Sequence, residues 1–169
     1  MKNLSILSNQ MIVVLTLCGL TLGFQSCTEK AETKIEPVAE AEFDLAEAKA
    51  EIEEANKNFM ALVAAGDSVG IANLYTTDAK LMFAGKPADV GRTNIQTAFS
   101  QILNSGVTKV DLKTKEVFGT EDLLAEEGEV IVYVGDMVVA EEKFIVLWKK
   151  EDGKWKLFRD ISNSNTPPQ

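Results

Sequence analysis

A chain of 169 residues with a formal net charge of −9 and no histidine excludes a good deal before any motif is sought. Without histidine there is no Ser–His or Cys–His nucleophile pair and no imidazole metal ligand. An acidic balance with no basic stripe also excludes a nucleic-acid partner, and the length suits one domain plus extra sequence at its front.

The front reads "MKNLSILSNQMIVVLTLCGLTLGFQSC". Lys2 is a basic start, an apolar run extends from Met11 to Phe24, and Gln25 and Ser26 precede Cys27. That is the layout of a secretory signal, and the run is short for a membrane-spanning helix. A cysteine directly behind such a run resembles the lipobox of bacterial lipoproteins, where cleavage falls just before the cysteine and the new N-terminus is acylated. Ser26 suits the small position before the cut, whereas Phe24 stands where leucine is usual and the nearest leucine is Leu22. Cys18 competes poorly, because Leu17 before it is bulky. An ordinary signal peptide cut elsewhere, leaving Cys27 as a free thiol, is the alternative. The resemblance implies a signal peptide over residues 1–26, lipidation at Cys27, and a membrane-anchored location in the cell envelope, periplasmic or surface-facing. Loss of Lys2 takes the net charge from −9 to −10. With Cys18 removed and Cys27 acylated, no thiol remains for a disulfide, a metal or a nucleophile.

Residues 27–43 continue as "CTEKAETKIEPVAEAEF", polar and charged with Pro37, too poor in apolar area to fold alone. They read as a flexible tether, the alternative being a helical extension of the adjoining domain. The domain then spans residues 44–169. Asp44, with Glu47 three residues on, is a capping-box-like helix start. Ile52, Ala55, Phe59, Leu62 and Val63 fall on one face, and Gly66 is a stop. A short second helix is expected from Asp67 or Ser68 to Tyr75, then a strand over "AKLMFA" and a turn over "GKPADVG". Thr93 with Gln96 predicts the cap of a third helix, which buries Ile95, Phe99, Ile102 and Leu103 and ends near Gly106. Four strand-like segments come next: "VTKVDLKTKEVF", "LLAEEGEVIVYVG", "MVVAEEKFIVLWKK" and "GKWKLFRDIS". The last two are joined by a hairpin at Asp152-Gly153. Helices first and strands after predict an α+β domain with helices laid on one face of a curved antiparallel sheet.

Three segments in this order and spacing, "AAGDSVGIANLYTTDAKLMF", "GRTNIQTAF" and "FIVLWKKEDGKWKLFRDISNSN", resemble the SnoaL-like and ketosteroid isomerase-like group of the nuclear transport factor 2-like superfamily. The likeness is nearest to its branch of unknown function, whose members often end in Asp-Ile-Trp-Asn-Ser. Here Ser162 replaces the Trp, between Asp160-Ile161 and Asn163-Ser164. The resemblance implies a cone-shaped fold, a strongly bent sheet wrapped around three N-terminal helices, with an apolar cavity inside and dimerisation through the sheet. It also places the last strand on the cavity, with Phe158, Asp160 and Ser162 inward by alternation unless a bulge intervenes. The positions matching the isomerase's base, tyrosine and protonated aspartate are Phe83, Phe59 and Ile145, all apolar, so that activity is not implied.

The candidate pocket residues are therefore Tyr75, Phe83, Glu126, Trp148, Phe158, Asp160 and Asn163. Asp160 leads them: a carboxylate inside an apolar cone gains a raised pKa and can hold or move a proton. It could equally fix the strand end through a neighbouring amide or Asn163. Glu126 and Glu127 alternate, so one points inward, and the family pattern favours Glu126; a solvated or salt-bridged glutamate is nonetheless the reading preferred over a pocket role. Tyr75 can offer a hydroxyl or be plain core; Trp148, Phe83 and Met82 are wall. No phosphate loop, calcium loop or serine elbow is found, so no cofactor and no metal is expected. The leading expectation is a lipid-anchored domain that binds a small, largely apolar ligand. Two others stand beside it. One is an isomerase, hydratase or cyclase using Asp160 with Glu126 or Tyr75, which requires two such groups within hydrogen-bond reach in the cavity. The other is a dimerising interaction module with a filled cavity and a large apolar patch outside.

Overall fold

The computed structural model describes residues 42–166. The expected signal peptide, Cys27 and most of the tether lie outside these residues. Among the described residues no helix is long and apolar enough to cross a membrane.

The first helix, α1 (Leu45–Ala65), starts where the chain supplies a cap: the Asp44 carboxylate accepts from the Ala46 and Glu47 amides at 2.7 and 3.2 Å. It stops at Gly66, whose φ of 69° closes the last turn as few other residues could. Its buried stripe includes Ala48, Ile52 and Val63. The short α2 (Ser68–Asn73) is capped by Asp67, which accepts from the Gly70 amide at 2.8 Å. Tyr75 does not belong to it, contrary to expectation; it opens strand β1 (Tyr75–Met82).

The segment expected as a plain turn contains a two-residue strand, β2 (Asp89–Val90), paired antiparallel to β1. This corrects the expected start of α3 (Gly91–Asn104), which comes after Val90 without any side-chain cap. Because β2 runs straight into the helix, Gly91 makes the corner at φ 78°, and Thr93 already lies in the first turn.

Strands β3 (Lys109–Gly119), β4 (Leu124–Val134), β5 (Met137–Glu151) and β6 (Lys154–Ser164) complete a six-stranded sheet in the order β2-β1-β6-β5-β4-β3. All neighbours are antiparallel except β1 and β6, which run parallel. That pair is joined by most of the domain, so no short turn constrains its direction. The β5–β6 hairpin turns at Asp152 and Gly153, with φ of 55° and 73°. Register shifts in each of the four long pairings bend the sheet strongly. Its concave face packs on α1 and α3, and the fold is the expected α+β cone, its sheet mixed by one parallel pair.

Cross-strand partners share a face, so the register reads out rows of the concave side. One row runs Val117, Glu126, Val146, Asp160, Leu81. The next runs Thr114, Gly128, Phe144, Ser162. Gly128 is needed because the Phe144 ring lies over it: an added Cβ would sit 2.2 Å from that ring's Cζ. Gly128→Val is expected to cost about 1–3 kcal/mol by overpacking, read as a lower urea midpoint; an unchanged midpoint would show that Phe144 swings aside freely.

Candidate functional site

Between the concave face and the helices lies a cavity of about 340 Å³. Phe59 and Val63 of α1, Phe99 and Ile102 of α3, and Leu112, Val132 and Phe144 of the sheet are among its walls. Only four of its lining residues are polar: Asn56, Glu142, Asp160 and Ser162. None is Lys or Arg.

Asp160 reaches the cavity through a bulge. Leu147 pairs with Arg159 and Trp148 with Leu157, so Phe158 is the extra residue between them. The skipped residue resets the alternation. Trp155 and Leu157 therefore point inward, and so do Asp160 and Ser162 further on. Phe158 is displaced to the outer side, where the Arg159 guanidinium lies 3.6 Å from its ring centroid and Lys149 at 5.3 Å. The expectation that Phe158 lines the pocket is thereby corrected. Asn163 is also corrected: it pairs with Lys143 on the outer face and is exposed.

Tyr75 stands one layer behind the wall. It is fully buried, and its hydroxyl donates to Asp160 Oδ2 at 2.6 Å. Burial and the adjacent carboxylate push the phenol well above its usual range, so it remains a donor. The strand that carries it is pinned at its start. Arg92 Nε donates to the Tyr75 carbonyl at 2.8 Å, and Arg92 also pairs with Glu151. Glu151 in turn accepts from the Thr77 amide and hydroxyl, and these bonds with the Arg92 charge hold its pKa down at about 2. Asp160 behaves oppositely. Burial raises its pKa to about 6 against the opposing Tyr75 hydrogen bond, and the charges of Glu126 and Glu142 add to the rise.

Glu126 faces inward but does not line the cavity. It is fully buried and accepts three hydrogen bonds, from Asn56 Nδ2 at 2.6 Å, Thr114 Oγ1 at 2.6 Å and Trp148 Nε1 at 3.0 Å. Burial raises its pKa while these donors work against the rise. Trp148 is thus a buttress of that network rather than wall, and Met82, paired with Ile161, lies on the outer side. Phe83 is on the wall. Of the three positions matching the isomerase residues, Phe59 and Phe83 do face the cavity, but Ile145 is half exposed on the convex face.

Sequence reading missed Asn56 and Glu142. Asn56 sits on the buried stripe of α1, one residue after Ala55 and three before Phe59, and a polar residue there was the available signal. Glu142 was concealed in the pair Glu141-Glu142, where alternation must point one carboxylate inward.

Comparison with known proteins bears on the fold. No protein-family profile matches the sequence, and no curated protein does. Among solved structures, a protein from Novosphingobium aromaticivorans, described as NTF2-like with a cystatin-like fold, superposes with a TM-score of 0.64 at 16% identity, covering 73% of this chain and 86% of its own. A ketosteroid isomerase-like protein from Erwinia carotovora atroseptica gives 0.54 at 25% identity, covering 70% and 96%. A protein from Catenulispora acidiphila in complex with S-DNPA gives 0.61 at 14% identity, covering 71% and 95%. The chain thus has the fold of the SnoaL-like and ketosteroid isomerase-like proteins of the nuclear transport factor 2-like superfamily. Within that fold, a half-buried aspartate on the wall of an apolar cavity is backed by a buried tyrosine.

Proposed function

We propose that the domain binds a small, largely apolar ligand in the cone, with Asp160 meeting the ligand's polar group. The observation that carries this is an open apolar cavity of about 340 Å³ with a half-buried carboxylate on its wall, oriented by Tyr75. A cavity of this kind argues against the filled-core alternative. The bound S-DNPA in the Catenulispora structure belongs to that protein and lends only a precedent for small-molecule binding on this fold. Native mass spectrometry of the full chain tests the reading. A reproducible small-molecule adduct is expected, either co-purified or formed with 1-naphthalenemethanol or 1-naphthalenemethylamine; a clean apo mass under all these conditions overturns it.

A second reading makes Asp160 a general base in an isomerase, hydratase or cyclase. The Tyr75–Asp160 contact at 2.6 Å and a pKa of about 6 support it, since a base working near neutral pH needs that range. Binding without strong catalysis stands ahead on one point. Charge developing on a substrate oxygen needs positioned donors, yet the Asn56 amide and Tyr75 hydroxyl already donate to carboxylates. Ser162 is the single hydroxyl on the wall.

The anchor at Cys27 and the envelope location remain part of the proposal, supported by the sequence layout alone. Cys27→Ser is expected to move the protein from the membrane to the soluble fraction on cell fractionation. An unchanged distribution would remove the lipid from the account. We also propose a homodimer through the convex face, where Phe118, Ile145 and Ile161 are 40–50% exposed. Ile145→Lys is expected to halve the mass seen by light scattering, and a monomeric parent protein contradicts the dimer.

A further inference from the structure

The four polar residues on the cavity wall do not offer a balanced set of partners. The Asn56 side chain is more than nine-tenths buried, and its Nδ2 donates to Glu126 Oε1 at 2.6 Å and to Thr114 Oγ1 at 3.2 Å. Its orientation is set by those partners: with the amide reversed, two oxygens would face each other. Asn56 lines the cavity, and its carbonyl Oδ1 accepts no hydrogen bond among the described residues, so it is the atom of this amide left for a ligand. Asp160 spends Oδ2 on the Tyr75 hydroxyl, leaving Oδ1 to accept. Glu142 lies on the same concave face, in the row of Val130 and Ser164, and has no basic partner among the described residues. Ser162, between the rows of Asp160 and Glu142, either donates or accepts.

Apart from the Ser162 hydroxyl, which can do either, the free polar atoms of the wall side chains are thus acceptors, most of them on the two carboxylates, and no wall residue carries positive charge. An anionic ligand would enter against two like charges in a low-dielectric space, with no cation to offset them. A neutral alcohol supplies one donor to several acceptors. A protonated amine supplies several donors and the missing charge together, while its hydrocarbon body fills the apolar remainder.

We propose that the cone selects a lipophilic amine: a compact apolar body whose ammonium group donates to Asp160 Oδ1 and the Asn56 carbonyl. This rests on the pocket reading above and names the class of ligand that pocket takes. The charge of Glu142 draws the head group in, and Ser162 gives it a further acceptor on the way.

Isothermal titration calorimetry of the full chain with three matched probes tests the inference: 1-naphthalenemethylamine, 1-naphthalenemethanol and 1-naphthoic acid. The amine is expected to bind at least tenfold more tightly than the alcohol, and the acid not to bind measurably. In Asp160→Asn that preference is expected to fall below about threefold, mainly through loss of amine binding, and Glu142→Gln is expected to lower amine binding to a smaller extent. Equal binding of amine and alcohol, or binding of the acid, overturns the amine and leaves the pocket standing. A preference that survives in Asp160→Asn assigns it to the protein's overall negative charge and also overturns the proposal. Binding of none of the three removes the pocket, and the amine with it.

Discussion

Replacing Glu126 with alanine is expected to lower stability by about 3–5 kcal/mol, the largest loss anticipated for a single polar side chain here. The reason lies in what the carboxylate holds. Asn56 from α1, Thr114 from β3 and Trp148 from β5 all donate to it, and Glu126 itself comes from β4. Its removal leaves the buried Trp148 indole and the Thr114 hydroxyl without their acceptor, takes from Asn56 one of its two acceptors, and opens a void next to the Trp148 ring. Urea unfolding monitored by tryptophan fluorescence reads the change directly. Glu126→Gln separates charge from hydrogen bonding: its amide accepts from one side only, so an N–H must face either the Trp148 indole or the Asn56–Thr114 pair. A loss intermediate between the alanine variant and the native protein is expected. If the alanine variant costs less than about 1 kcal/mol, water has replaced the carboxylate and the network is not what joins helix to sheet.

Asp160→Asn is expected to do the reverse and stabilise the protein, but only at higher pH. The carboxyl is held at about 6 against an ordinary value of 3.8. Its folded form binds a proton more tightly than its unfolded form, so stability is highest below about pH 4, falls as pH rises through about 6, and levels off above about 7. A shift of that size corresponds to at most roughly 3 kcal/mol lost at alkaline pH. Asparagine keeps an acceptor for the Tyr75 hydroxyl and carries no charge to desolvate. At about pH 8 the variant is expected to gain about 1–3 kcal/mol, a Tm rise of several degrees, and at about pH 4.5 to approach the native protein. The groups facing this carboxyl are Tyr75 from β1, Glu142 from β5 and Glu126 from β4. A gain of the same size at both pH values would point to packing rather than ionisation, and a loss at pH 8 would mean the carboxylate is stabilising where it sits. Conversely, a residue that costs stability in a cavity is what a binding or proton-transfer site retains.

Glu126 and Asp160 are separated by a single residue, Val146, in one row of the sheet. Both are inward, both are raised by burial, and they differ in their company. Glu126 is saturated with donors and seals helix to sheet. Asp160 receives one hydrogen bond and faces open space, which is why it, rather than Glu126, is the group left for a ligand.

Much of this was legible in the residues themselves. The caps at Asp44 and Gly66, the hairpin at Asp152-Gly153 and the helices-then-strands order all depend on neighbours a few residues away. Local spacing therefore encodes them. Composition likewise removed histidine chemistry. What only the tertiary structure decided was set by pairing across long stretches of chain. The bulge at Phe158 arises where β6 must match β5 on one side and parallel β1 on the other, and it turned Phe158 out while keeping Leu157 and Asp160 in. Pairing of Asp89 and Val90 with β1 made a strand of an apparent turn and moved the start of α3. The same long-range closure brought Tyr75 to Asp160, 85 residues away, and Asn56 to Glu126, 70 residues away. Alternation and helical period fix which face a side chain takes only while the count along the strand is unbroken, and one extra residue, invisible locally, reverses it.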